Sequence, residues 1–205
     1  EVRAPECRVT LERSIVGPVR AALDAEVVAD VCILDATSTA LPALADGTGT
    51  GFGASLTVRE STVIGKVKAD AIVLASDTLF LAEVAAADDP GDWPGPVLAR
   101  RRQEGCARFC YIPPGSRTPR RFQCIPRTEA EDGEVRPWPA STRYGTPRYG
   151  QLPPSTPAAV RRGASDEDEI GVHHHLYLSR REAHLRARLD EYLRFGLEAG
   201  VFYAS

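Results

Sequence analysis

Leu56-Thr57-Val58-Arg59-Glu60-Ser61-Thr62-Val63-Ile64-Gly65 carries the pattern that decides the fold: apolar, spacer, apolar, a small polar turn, then an apolar pair. The same phrase stands upstream as Val9-Thr10-Leu11-Glu12-Arg13-Ser14-Ile15-Val16-Gly17 and as Val27-Val28-Ala29-Asp30-Val31-Cys32-Ile33-Leu34-Asp35. It returns downstream as Ile72-Val73-Leu74-Ala75-Ser76-Asp77-Thr78-Leu79-Phe80-Leu81. β-Branched residues suit the apolar slots of strands, and a phrase recurring at a short period marks a stack of short strands. The predicted fold is mainly β, with a short right-handed parallel β-helix of about four rungs over residues 1–89. Leu11, Ala29, Val58 and Leu74 are expected in one interior column. Ser14, Cys32, Ser61 and Asp77 are expected at a corner, where small polar side chains hydrogen-bond nearby backbone.

Between the second and third phrases lies Ala45-Asp46-Gly47-Thr48-Gly49-Thr50-Gly51-Phe52-Gly53-Ala54, read as a flexible insertion at a corner. A phosphate-cradling loop would require Gly-Lys-Ser/Thr opening a helix, and no such Lys follows. From Pro90 the texture changes. Thirteen of the 16 prolines fall between residues 90 and 157, and residues 90–162 hold thirteen Arg against six acids. Proline at that density forbids long helices and central strands. Residues 90–162 therefore read as an irregular Pro/Arg-rich arm laid along a surface. It holds two short strands, Cys106 to Ile112 and Arg120 to Ile125, around a Pro-Pro-Gly-Ser turn. Its aromatics argue against disorder.

Residues 163–205 read as a C-terminal helical hairpin. Ser165 followed by Asp166-Glu167-Asp168-Glu169 has the form of a capped start, and Ser179-Arg180-Arg181-Glu182 that of a capping box. Leu185, Leu189, Leu193 and Leu197 then form an apolar stripe expected to bury against the solenoid or the arm.

The net charge of −3 is too small to point to a nucleic-acid partner, and no apolar run reaches the ~20 residues that span a bilayer. The sequence contains no Met, position 1 included, so a fragment of a longer chain is expected. Five cysteines, Cys7, Cys32, Cys106, Cys110 and Cys124, do not form the dense even set of a small secreted domain, and a reducing compartment during assembly is expected.

Three constellations bear on chemistry. Consecutive His173, His174 and His175 would point about 100° apart on a helix and cannot share one ion. With Cys106, Cys110 and Cys124 they supply zinc-type ligands, but without the paired knuckle spacing of a zinc site. Asp30, Asp35, Glu60 and Asp77 are the candidate acids of a β-helix polysaccharide lyase or hydrolase, with Glu60 and Asp77 on neighbouring rungs. Acids on an outer solenoid face are ordinarily just solvated. The expectation is therefore no enzyme, with no catalytic, cofactor-binding or metal residue and no cofactor.

Several stretches resemble a family of uncharacterised bacterial proteins associated with phage-tail-like contractile injection systems. They are Ser61-Thr62-Val63-Ile64-Gly65-Lys66-Val67, residues 74–82, 101–106, 116–124 and 143–152, and the long run Leu185 to Ala204. The resemblance implies a C-terminal solenoid plus helices of a larger protein belonging to a tail-like particle, and it supplies no catalytic residues. The function expected is a non-enzymatic structural or adhesive module assembled in the cytoplasm into a released particle. The alternative is a β-helix domain that binds or degrades carbohydrate. Expected partners are proteins: the rest of its own chain, particle components, and a second copy meeting the solenoid end, where Glu1 to Arg8 offers no polar cap.

Overall fold

Short strand-forming runs divided by corner residues build three parallel sheets in the computed structural model, which describes residues 7–200. The first sheet holds β1 (Arg8–Glu12), β4 (Glu26–Asp30), β7 (Ser55–Arg59), β10 (Ile72–Ser76), β13 (Cys106–Arg108) and β14 (Arg120–Phe122), in that order. The second holds β2 (Ile15–Val16), β5 (Ile33–Asp35), β8 (Thr62–Ile64) and β11 (Leu79–Leu81). The third holds β3 (Val19–Arg20), β6 (Pro42–Ala45), β9 (Lys66–Ala69) and β12 (Val97–Ala99). The chain visits the three sheets in rotation as far as β13, β14 joins the first sheet again, and each strand pairs in parallel with the strand that preceded it in the same sheet. Of the lead Glu1 to Arg8, expected to leave the first rung uncapped, residues 1–6 lie outside the described residues, and Arg8 already begins β1.

Register stacks like on like. Leu11, Ala29 and Val58 stand opposite one another in the first sheet. Leu34, Val63 and Phe80 do so in the second, and Leu44, Val67 and Val97 in the third. These inward columns meet in one apolar cluster. Leu74 does not continue the first column. The register shifts between Ile72 and Leu74, and Ala75 takes the place opposite Val58. Val73 is the extra residue, half exposed, at a bulge of the kind that one inserted residue makes.

The corner that ends each strand of the first sheet repeats six times. Arg13, Val31, Glu60, Asp77, Phe109 and Gln123 all have φ between 43° and 52°. The residue after each, namely Ser14, Cys32, Ser61, Thr78, Cys110 or Cys124, donates its hydroxyl or thiol to the carbonyl two residues before it. The corner residue of the fourth circuit is thus Thr78, not Asp77, one place displaced by the same bulge. Parallel backbone bonds run on through the bend, as in Val31 N–H to Arg59 C=O and Thr62 N–H to Cys32 C=O. A left-handed conformation is costly for a side-chain-bearing residue, and for Val31 above all. The unbroken ladder on both sides offsets it.

Strand pairing continues beyond residue 89, because β12, β13 and β14 each extend a sheet. The two strands expected around the Pro-Pro-Gly-Ser turn are parallel neighbours, and the arm here continues the sheets instead of lying on them. Prolines occupy the connections, where no ladder donor is required.

Residues 149–172 cross the outer face of the second sheet as a strap. Tyr149, Leu152, Val160, Ile170 and Val172 pack there on Ile33, Ile64, Leu79 and Leu81. One short helix, α1 (Asp132–Val135), precedes the strap and another, α2 (Ala158–Arg161), lies within it. The helix expected from Ser165 does not form. The Ser165 N–H instead donates to the Asp77 carboxylate at 2.6 Å, Gly171 N–H to the Asp77 carbonyl, and Val172 N–H to Thr62 Oγ1. Anchoring to the sheet thus takes the donors and the geometry that a helix would need. Asp168 and Glu169 are buried, with Arg180 Nε 3.5 Å from Asp168 Oδ2.

No hairpin of helices follows. Among the described residues the C-terminal region holds a 3-10 turn at His174–Leu176 and one helix, α3 (Leu178–Tyr192). Tyr177, in the left-handed region, precedes α3 without a side-chain cap. The leucine stripe does not bury as expected: Leu185 is 49% and Leu197 60% exposed, and Leu189 is half-buried. The strap already covers the apolar face that the stripe would have needed.

Ser61 Oγ accepts from buried Cys32 N–H and donates to Arg59 C=O, so Ser61→Ala is expected to cost about 1–3 kcal/mol in urea unfolding. Ser61→Cys, which restores a corner donor, is expected to lose less than half of that. Burial raises the Glu169 carboxyl to about 7, against the opposing pull of Arg161 and with some help from Asp168. The folded chain therefore holds the extra proton, and stability falls as pH rises from about 4.5 to about 7. Glu169→Gln is expected to remove up to about 3 kcal/mol of that fall, read from urea midpoints at pH 4 and pH 8.

Candidate functional site

Two lysines on β9 organise the surface beside the third sheet. Lys66 is 2% exposed and its Nζ pairs with Asp88 at 2.5 Å, 4.4 Å from the centre of the Trp93 ring. Lys68 Nζ donates to the carbonyls of Thr50 and Asp92. A buried ammonium requires such partners, and meeting that need draws both insertions onto the sheet. The Gly-rich loop is accordingly held, not flexible. Asp46 Oδ1 accepts from the backbone N–H groups of Thr48, Gly49 and Gly51, and Lys68 grips its far side. A Cβ on Gly51 would stand 2.3 Å from Asp46 Oδ2, so a side chain there would push the carboxylate off its backbone donors.

The anchored insertion around Trp93 forms one wall of a groove of about 890 Å3. Ile64 and Leu81 contribute from the second sheet, and the opposite wall comes from Tyr111 and the run Asp132 to Pro139. Seven of the lining residues are prolines, Pro94 and Pro96 on one wall and Pro137 and Pro139 on the other among them, and their fixed φ holds the walls stiff.

Each charged group on the walls has a protein partner. Tyr111 Oη donates to Asp132 Oδ1 at 2.7 Å. Burial, joined by that carboxylate, keeps the Tyr111 hydroxyl protonated far above its ordinary range. Glu83 accepts from Thr39 Oγ1 at 2.6 Å through one oxygen and faces Arg136 at 3.3 Å through the other. The Arg136 guanidinium in turn lies 4.7 Å from the centre of the Trp138 ring. Trp93 is buried, whereas Trp138 is 65% exposed with one face on the arginine.

The acids singled out in the sequence lie elsewhere. Glu60 and Asp77 do occupy the same left-handed corner position on adjacent circuits, as expected. Asp77 is buried and holds Ser76 Oγ and Ser165 N–H. Asp35 is buried and accepts the Tyr149 hydroxyl at 2.5 Å. Both therefore anchor the strap. Asp30 and Glu60 are half-buried, and neither lines the groove.

The histidines diverge. His173 Nε2 is 3.4 Å from the Tyr149 carbonyl, His174 Nδ1 is 3.1 Å from that of Glu169, and His175 is exposed. Burial holds His173 below the usual imidazole range. Cys110 and Cys124 are corner residues, and among the described residues no three His, Cys, Asp or Glu side chains gather as metal ligands. The groove residues Glu83, Trp93, Asp132, Arg136 and Trp138 carry no local motif. Their only sequence signal was Trp and Tyr set among prolines.

No family model, no curated protein and no solved structure matches this chain. Among the described residues no helix is long and apolar enough to cross a membrane.

Lys66→Met strands the Asp88 charge against the sheet. It is expected to cost about 2–3 kcal/mol and to shift Trp93 emission to the red, measured in a Trp138→Phe background.

Proposed function

We propose that this chain is a non-enzymatic adhesive module: a right-handed parallel β-helix that presents an aromatic groove to an extended saccharide. Strands visiting three parallel sheets in rotation, with like residues stacked in one core, support the β-helix reading. The observation that carries the function is Trp138. A large ring left exposed at the mouth of a groove, yet steadied on its other face by Arg136, is a stacking platform. The C–H face of a pyranose is apolar and flat enough to lie on such a ring. Its hydroxyls meet the rim formed by Glu83, Arg136 and Asp132. Few polar groups in a mostly apolar cleft fit recognition of a small flexible ligand.

The polysaccharide-degrading alternative has less support. A hydrolase needs two carboxylates free to face the scissile bond, one as acid and one as base or nucleophile. Glu83 spends both oxygens on Thr39 and Arg136, and Asp132 is engaged by Tyr111. The tail-particle setting is carried as a proposal on the quoted sequence motifs alone, and an adhesive module is compatible with it.

Screening against immobilised oligosaccharides, followed by calorimetry on those retained, tests the reading. Trp138→Ala is expected to weaken binding at least about tenfold while leaving the melting temperature unchanged. Absence of binding to any glycan at millimolar concentration would overturn it. Release of reducing ends or unsaturated products would instead establish the degrading activity.

A further inference from the structure

Three of the six corner residues are cysteines, and two of them are neighbours. Arg108 stands opposite Phe122 where β13 pairs with β14, and Tyr111 is bridged to Ile125, so the register places Cys110 opposite Cys124. Adjacent parallel strands lie about 4.8 Å apart, inside the roughly 4.4–6.8 Å Cα separation that a disulfide spans. Both thiols share one orientation, since each donates to the carbonyl two residues back. Each thiol is near enough to shift the ionisation of the other. Cys32 has Ser61 as its corner neighbour, and Cys7 and Cys106 do not occupy this corner.

We propose that Cys110 and Cys124 are a modification site, oxidised by low-molecular-weight disulfides to an intramolecular disulfide that clamps the last circuit to the one before it. Cys124 is the attacking group. It follows β14, all of whose residues are exposed, and opening of this terminal circuit admits the oxidant. The Cys110 side chain beside it, against the opposing effect of burial, lowers the Cys124 thiol to about 7, whereas burial raises Cys110. The Cys124 thiolate attacks one sulfur of the oxidant, forming a mixed disulfide and expelling one thiolate. Cys110 gives its proton to solvent and attacks Cys124 Sγ, expelling the second. The protein pair loses two electrons, and the oxidant is reduced to two thiols.

Serine is a suitable probe because Ser14 and Ser61 already fill this corner with the same backbone bond. The full chain is equilibrated with oxidised glutathione at pH 8, quenched in acid, alkylated and digested with trypsin. The expected product is a cross-link between the peptides Phe109–Arg117 and Phe122–Arg127, with amide exchange across residues 122–127 slowed about tenfold or more. Cys124→Ser is expected to abolish reaction at this corner, and Cys110→Ser to stop it at a glutathione adduct on Cys124. Cys32→Ser should change nothing. Full alkylation of Cys110 and Cys124 after oxidation, or a cross-link through Cys106 or Cys7, would overturn the proposal.

Discussion

The bend that ends each strand of the first sheet is the constraint on which the rest of the molecule depends. A parallel strand that must turn sharply without losing its ladder needs one residue in the left-handed region, and the chain places a side-chain-bearing residue there six times. The next residue then points a short donor back at the carbonyl two places before it. Only Ser, Thr or Cys has both the reach and the donor. The serine, threonine and cysteine content of this region is thereby explained without invoking catalysis or metal. A thiol is a weak donor but a good small apolar filler, so Cys32, Cys110 and Cys124 suit the buried end of the same requirement.

With the bend fixed, the outer faces decide what else the chain can do. The second sheet points Ile33, Ile64, Leu79 and Leu81 outward, an apolar face too large to leave in water, and the strap covers it. The third sheet points Lys66 and Lys68 outward, and insertions rich in carbonyls and acids fold over them. Between these two coverings the groove remains. Its position follows from one sheet needing an apolar cover and its neighbour a polar one.

Legibility in the sequence divided along the same line. The strand phrases and most of the first column were readable, because alternation and corner residues are local signals. Leu74 misled because one inserted residue, Val73, shifts the register, and only the partner strand shows where a bulge falls. The short strand at Arg120 to Phe122 was legible, but proline density made it read as part of a surface arm and not as a further member of the first sheet. The acids of residues 166–169 imitated a helix start. Their neighbours Ser165 and Gly171 bond instead to Asp77, some ninety residues away, and no local pattern encodes that. The groove was illegible for the same reason, since Glu83, Trp93 and Arg136 meet only after the circuits stack.

Rigidity bears directly on the role proposed for this groove. Prolines on both walls, the Lys66–Asp88 bridge and the Tyr111–Asp132 bond leave few torsions to freeze when a ligand enters, so the entropic cost of binding falls mainly on the ligand. Recognition gains from that arrangement. Catalysis of glycosidic cleavage asks for the opposite at two positions: carboxylates unengaged in the resting protein and released to exchange protons. In this chain the carboxylates hold the walls in place, and freeing them would loosen the groove that they define. A surface whose charged groups serve as struts, with one exposed indole left over, favours the proposed binding role over the degrading alternative.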